Sequence, residues 1–317
     1  MKIAFMASDP IALKPIEFVR NNHELLCVIS NPDKPKGRGK KLSPNEVSQW
    51  ALDNSIELLR PVGKPDDFVV ARLRELGVEL IIVMAYGCIL KDNILKYGKY
   101  PCLNLHASIL PELRGASPIE TAIALGKDKT GVSLMAISPA MDEGDVADVC
   151  EVEISYADTS KTLREKISEA SAKVLEKNLP LLENNELEFL PQDSSKATYA
   201  RKLSKQDMYL DFRKSADELR NRIRAFGAGI FLYENEAIKI FDVDVVRNEE
   251  IFSDCGKILE ASSNGLVIAC SHGAILAKNL QRPCCKVMNA KDFFAGFKMN
   301  KDFIITSENN VSLLRNT

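Results

Sequence analysis

The sequence predicts an α/β chain in two parts, a mostly parallel sheet covered by helices and then a small β-barrel. Three observations predict it. Over residues 1–155, short apolar runs of strand length alternate with longer segments of helical spacing. The runs are apolar throughout rather than alternating, as strands covered on both faces are. After about Leu203 the rhythm changes to short alternating strands parted by Gly or Asn turns.

Ile3–Met6, Leu25–Ser30, Leu80–Met84 and Leu103–His106 are the expected parallel strands. Between them, Ile16 and Val19 follow Pro10, Val47, Trp50 and Ala51 follow Pro44, and Phe68, Leu73 and Leu76 follow Pro65, each at helical spacing. Val132–Ile137 and Val146–Ile154 are expected strands joined by a turn at Asp142-Glu143-Gly144. A helix follows, with Leu163, Ile167, Ala170, Val174 and Leu175 on one face and Thr159 or Ser160 as its N-cap. The polar stretch Asn184–Ala197, with Pro191 and a Ser-Ser pair, has linker composition. Then come one helix, Ala216–Phe226, and five strands: Ile230–Tyr233, Ala237–Val246, Gly256–Ala261, Leu266–Cys270 and Ala274–Ala277. The expected division is a Rossmann-like domain at 1–185, a linker at 186–205 and an OB-like barrel at 206–317.

Composition sets bounds. With 317 residues, 45% hydrophobic and 27% charged, the chain fits an ordinary soluble globular protein and not a disordered one. A net charge of −2 gives no global field toward nucleic acid, so any polyanion site is a local patch. The longest apolar run, Leu80–Leu90, has 11 residues, against ~20 for a membrane span, so no membrane association is expected. The eight cysteines form no Cys-x-x-Cys pair and there are three histidines, so neither a metal site nor disulfides are expected. Free thiols in a reducing cytoplasm fit this usage.

The densest polar cluster is Asn104-Leu105-His106-Ala107-Ser108, at the end of an expected central strand. Residues i and i+2 of a strand share a face, so Asn104 and His106 point together. A carboxamide beside an imidazole suits a reaction in which a carbonyl becomes an oxyanion, although a hydrogen-bonded histidine at a strand end is an equally ordinary structural feature. Directly after it, Pro111, Gly115 and Pro118 fix an irregular loop, with Ser117 in the N-cap position of a helix opened by Pro118. Asp142, 38 positions beyond Asn104, lies in an acidic turn. Folded over the same edge, it would orient His106 and pair with it.

The string Asn104-x-His106-x-Ser108-Ile109-Leu110-Pro111-x-x-Arg114-Gly115-x-x-Pro118-Ile119, followed by Met141-Asp142-x-Gly144-Asp145, resembles the signature of formyltransferases that use 10-formyltetrahydrofolate. Asn31-Pro32-Asp33-Lys34, Gly37–Leu42, Ala85-Tyr86-Gly87, Thr198-Tyr199-Ala200, Lys202–Lys205 and Arg224-Ala225-Phe226 extend the resemblance nearly end to end, toward the branch that acts on methionyl-tRNA. The chain departs from that pattern at Ala7, where a glycine is usual, at Asp9-Pro10, whose order is reversed, and at Gly227–Ile230, which replaces an Asn-Pro-Trp-Pro stretch.

The resemblance implies transfer of the formyl group of 10-formyltetrahydrofolate to the α-amine of initiator methionyl-tRNA, without metal or covalent intermediate. It implies Asn104, His106 and Asp142 as catalytic residues. Ser108, Ile109, Leu110 and Pro111 would line the folate site, with the pterin near Tyr86, Gly87, Ile89 and Leu90. Cys102, two residues before Asn104, has no role in the motif. Between Asp33 and Lys41 lie five basic residues and one acid, so Lys34, Arg38, Lys40 and Lys41 are expected on tRNA. A second basic stripe, Lys278–Lys301, adds Lys286 and Lys298. A monomer is expected. Sugar-nucleotide N-formyltransferases share the central motif and remain the alternative, although one sugar nucleotide does not require five cations. A silent RNA-binding module is the alternative from another class, opposed by the intact Asn104, His106 and Asp142.

Overall fold

The computed structural model describes residues 1–36, 39 and 41–315. It divides into two compact units that interleave along the chain, one of residues 1–115, 129–153 and 164–199, the other of 116–128, 154–163 and 200–317.

The first unit is built on a seven-stranded sheet. In chain order its elements are β1 (Lys2–Ala7), α1 (Leu13–Asn22), β2 (Glu24–Ile29), a hairpin of β3 (Lys34–Lys36) and β4 (Lys41–Ser43), α2 (Glu46–Asp53), β5 (Glu57–Leu59), α3 (Asp67–Leu76), β6 (Leu80–Met84), α4 (Asp92–Leu95), β7 (Leu103–His106), β8 (Arg114–Gly115), β9 (Lys129–Ala136) and β10 (Val146–Glu153). The sheet order is β10-β9-β7-β6-β1-β2-β5. The five strands from β7 to β5 run parallel, and β9 and β10 are antiparallel additions. The chain moves outward from β1 through β2 to β5, then returns to β6 on the other side of β1. That reversal makes a topological switch point, beyond whose carboxyl edge such sheets bind ligands. Ala4, Met6, Cys27, Ile29, Ile81 and Val83 pack one face. Ile3 and Phe5 point the other way and are equally buried, which is why these strands lack alternation.

A polar network ties the switch point together. Ser8 N donates to Ala85 O at 3.3 Å, Asn31 N to Ser8 Oγ at 3.0 Å, and Asn45 Nδ2 to Ser30 Oγ at 2.9 Å. The Asp9-Pro10 order has a local use: Asp9 caps a short 3-10 turn by accepting from Ile11 N at 3.0 Å, and Pro10 opens it. Ala7 is fully buried at the end of β1.

The second unit contains α5 (Pro118–Ala124), the start of α6 (Ser160–Glu183), the end of β11 (Tyr199–Ala200), α7 (Ala216–Phe226), β12 (Gly229–Tyr233), β13 (Glu236–Ile251), β14 (Ile258–Ser262), β15 (Gly265–Ala269), β16 (His272–Gln281), β17 (Met288–Asn289) and α8 (Ala290–Gly296). Its antiparallel sheet, in the order β12-β13-β16-β15-β14 with β17 on β16, stands where the barrel was expected. Leu219 and Ile223 of α7 share its core with Phe231, Ile240, Ile268 and Leu280. Ser215 and Glu218 form a reciprocal capping box that starts α7, and Gly227, at φ +78°, ends it. A side chain at Gly229 would press within 3 Å of Leu210 and Ile223, so the Gly227–Ile230 departure serves helix termination and close packing. Thr159 and Thr162 bond reciprocally at the start of α6. Ser117, expected to cap α5, occupies the position but makes no side-chain cap bond.

Among the described residues no helix is long and apolar enough to cross a membrane, and no cluster of His, Cys, Asp and Glu suits a metal ion. All eight cysteines are free.

Candidate active site

β7 pairs with β6 on one side and antiparallel with β9 on the other, and its last residues reach the carboxyl edge of the sheet. Asn104 and His106 share one face there. Asn104 is half-buried, and among the described residues its carboxamide has no hydrogen-bond partner. His106 is buried, and its Nε2 lies 3.0 Å from Leu113 O. A carbonyl oxygen only accepts, so Nε2 carries a proton, and Nδ1 is the ring nitrogen left to exchange one.

The loop after β7 is fixed by the neighbouring strand. Ser133 Oγ donates to Ser108 O at 2.7 Å and accepts from Leu110 N at 3.0 Å, while Ser108 Oγ donates to Glu112 O at 2.6 Å. Leu110-Pro111 is cis, and Leu113 has φ +54°. These constraints aim Leu113 O at His106.

Asp142 comes to the same place. Its Oδ1 lies 3.6 Å from His106 Nδ1, and its Oδ2 accepts from Gly115 N at 2.8 Å. The turn that carries it is tight: Asp142 has φ +56°, and a Cβ at Gly144 would fall 1.8 Å from Ala136 O. Glycine at 144 is therefore a steric requirement. The result is an imidazole with one nitrogen occupied by main chain and the other facing a carboxylate across a gap too long for a direct hydrogen bond. Such a ring can take a proton at Nδ1, and the carboxylate stabilises the cation that forms.

The residues expected around the pterin follow β6. Ala85 at φ +48° and Gly87 at φ +79° bend the chain there, and Asn31 Nδ2 holds Tyr86 O at 2.7 Å. Tyr86 is buried, its hydroxyl has no partner among the described residues, and burial pushes the phenol well above its usual range. Leu90 is buried, but Ile89 is 60% exposed, an apolar side chain open at the sheet edge. Ile109 and Pro111 are half-buried and Leu110 is buried. The exposed Ile89 beside this bent backbone is the apolar surface that the sheet edge offers here; the Tyr86 ring belongs to the core. Cys102 is fully buried, and that burial pushes its thiol up to about 12, which removes it as a nucleophile.

Of the residues expected on tRNA, Lys34 and Lys41 are exposed on the β3–β4 hairpin. Arg38 and Lys40 lie outside the described residues. The flanks of the basic run pair as strands, Lys34 with Ser43 and Lys36 with Lys41. In the second stripe Lys278 and Arg282 are taken by Asp244 and Glu236, both at 2.8 Å. Lys286 and Lys298 are exposed and, among the described residues, without an acidic partner.

Sequence reasoning assigned no role to Arg114 and none to Gln192. Arg114 is 1% exposed, and its Nε and Nη2 donate to Gln192 Oε1 at 3.0 and 2.8 Å. Arg114 was marked only by its place in the motif string after β7; Gln192, inside a polar stretch, had no signal.

A family model described as formyl transferase matches residues 1–179, and one described as the formyl transferase C-terminal domain matches residues 202–298. The methionyl-tRNA formyltransferase of Sulfurihydrogenibium sp. is 37% identical over 305 residues, covering 94% of this chain and 98% of that protein. That of Acetivibrio thermocellus is 34% identical over 309 residues, covering 96% and 99%. Among solved structures, an N-formyltransferase from Helicobacter canadensis, crystallised with folinic acid and dTDP-3-aminofucose, superposes with a TM-score of 0.67 at 21% identity, covering 89% of this chain and 99% of its own. At that identity the likeness concerns the fold.

Proposed function

The chain belongs to the formyl transferase family, and from that premise we infer that it formylates the α-amino group of methionine on initiator methionyl-tRNA, a cytoplasmic step of translation initiation. Relatives bearing that activity in their names match it over nearly their whole length. The donor is a folate derivative, and we assign 10-formyltetrahydrofolate, which supplies the formyl carbon on N10.

The observation that carries the chemistry is the free Nδ1 edge of His106, 3.6 Å from Asp142 and on the strand face of Asn104. Attack of the neutral amine on the formyl carbon forms a C–N bond and builds negative charge on the formyl oxygen. The Asn104 carboxamide, with no partner of its own among the described residues, donates to that oxygen. His106 at Nδ1 takes the proton the amine must lose, Asp142 stabilises the imidazolium, and the same proton then goes to N10 as the C–N10 bond breaks. Leu113 O keeps the other nitrogen out of this exchange. Lys34, Arg38, Lys40 and Lys41, with Lys286 and Lys298, contact phosphates.

The test is one assay with radiolabelled formyl donor, offering charged initiator tRNA beside an amino-sugar nucleotide. Transfer to methionyl-tRNA alone is expected, with an apparent tRNA affinity that falls steeply with salt. Transfer to the sugar nucleotide alone would overturn the acceptor assignment.

A further inference from the structure

The Asp142 turn is held from behind by residues that the transfer does not touch. A non-glycine residue at φ +56° is disfavoured and persists only where its surroundings impose it. Here the imposing group is the carboxamide of Gln192. Its Nε2 donates to Asp142 O at 2.9 Å and to Gly144 O at 2.7 Å, gripping the turn on both sides of Glu143. Its Oε1 accepts twice from Arg114, so every polar group of the side chain is occupied and its orientation is fixed.

Arg114 is itself immobilised. Its Nη1 donates to Tyr199 Oη at 2.9 Å and lies 3.2 Å from Glu143 Oε1, and the Tyr199 hydroxyl donates to the same Glu143 oxygen at 2.7 Å. Its main-chain nitrogen is tied to Thr198 O at 2.8 Å, and the next nitrogen, Gly115 N, is the one bound to Asp142 Oδ2. A buried guanidinium with this many fixed partners is a rigid post. The turn is therefore anchored to it twice, through Gln192 at the main chain and through Gly115 at the carboxylate.

We propose that Gln192, fixed by Arg114, is a positioning residue that sets the reach of the Asp142 carboxylate toward His106. The proposal rests on the reading of Asp142 and His106 given above. Gln192→Glu isolates the function. It keeps an acceptor for Arg114, so the post stays partnered, but it replaces the two donors by an oxygen facing the carbonyls of Asp142 and Gly144. Gln192→Met, of similar length and with neither hydrogen-bonding group, is the second variant and carries the same expectations.

Three readouts are taken on the full chain. Both variants are expected to lose ~10–100-fold in kcat with the KM of donor and of tRNA within ~2-fold, the pattern of a lost transition-state interaction. In an Asp142→Asn background the same substitutions are expected to cost almost nothing further, because they act through that carboxylate. The Gly115 amide, whose acceptor is Asp142 Oδ2, is expected to exchange at least ~10-fold faster while the amides of β1 and β6 keep their protection. Wild-type kcat, or a fully additive double variant, would overturn the proposal. Unchanged exchange at Gly115 would overturn it whether or not the enzyme turns over. A wild-type chain that fails to formylate methionyl-tRNA overturns the functional assignment instead, and the exchange result still decides the role of Gln192.

Discussion

Replacing Asp142 by asparagine tests the proposed chemistry most directly, because it removes a charge and leaves the shape. The side-chain oxygen that accepts from Gly115 N at 2.8 Å survives as the amide oxygen. The amide nitrogen then faces His106 Nδ1, which was 3.6 Å from a carboxylate oxygen. Two effects follow. Unit charges at that separation attract by about 4–5 kcal/mol at an effective dielectric of about 20, and this support for the imidazolium is lost. An amide N–H also donates to the Nδ1 lone pair that was to take the proton. The carboxylate is 17% exposed, and the amide dipole returns part of the interaction, so the net cost is smaller than the full attraction. A loss of about 3–4 kcal/mol corresponds to kcat lower by ~10²–10³. The assay is initial-rate transfer of labelled formyl at saturating donor and methionyl-tRNA, with circular dichroism and thermal melting to establish the fold. A folded variant whose kcat stays within ~3-fold of wild type, too small a change for a transition-state contact, refutes the relay.

Three other outcomes are expected. Asn104→Ala removes the donor to the formyl oxygen and lowers kcat by ~10²–10³ with KM for the donor little changed, measured in the same assay; a large KM effect with kcat intact would instead make Asn104 a binding residue. Gly144→Ala places a Cβ 1.8 Å from Ala136 O; since backbone must move, urea denaturation should show a loss of ~1–3 kcal/mol, and activity should fall with displacement of the turn. Acid should weaken the second unit through Asp207. Burial raises its pKa, but hydrogen bonds from Arg201 and Ser204 outweigh that and hold it below the ordinary carboxylate value. Its contribution is therefore full above the unfolded value of ~3.9 and is lost as pH falls through the lower folded value. Asp207→Asn should be less stable at pH ~7 and should lose the part of the acid dependence that this group supplies, read as urea midpoints between pH ~7 and ~3; an unchanged acid profile would contradict the assignment.

How far the sequence reaches depends on what holds each element. Ile3–Met6 and Leu80–Met84 are covered on both faces, so their apolar character alone marks them as central parallel strands. The helix Ala216–Phe226 was legible to the residue, because Ser215, Glu218 and Gly227 are local signals. The edge strand Glu57–Leu59 was not, since its three residues are half-buried and its only strand partner among the described residues is β2, with Arg72 of α3 holding the Glu57 carboxylate from outside the sheet. Nor was the pairing of Lys34–Lys36 with Lys41–Ser43, which rests on main-chain contacts that a run of basic residues does not announce. The interleaving of the two units was hidden as well, because residues 116–128 and 154–163 carry no compositional mark of the unit they join.

The candidate site divides the same way, and the division explains where its precision originates. Asn104 and His106 are legible as a pair because strand period alone puts them on one face. Asp142 is legible as an acidic residue in a turn, and its approach to His106 follows only from the resemblance or from coordinates. The groups that contact both partners directly are main-chain atoms, Leu113 O on His106 Nε2 and Gly115 N on Asp142 Oδ2, and Gln192 grips the turn by its carbonyls. Main-chain atoms are the same in every residue, so no choice of side chain announces them. What the sequence supplies instead is permission for the backbone to be there, as Gly144 does where a Cβ would strike Ala136 O. The proposed reacting groups are thus a matter of residue type, and their alignment is a matter of chain path. Substitutions that touch no reacting atom, at 144 or 192, are therefore expected to cost rate through the Asp142 turn while leaving substrate affinity intact.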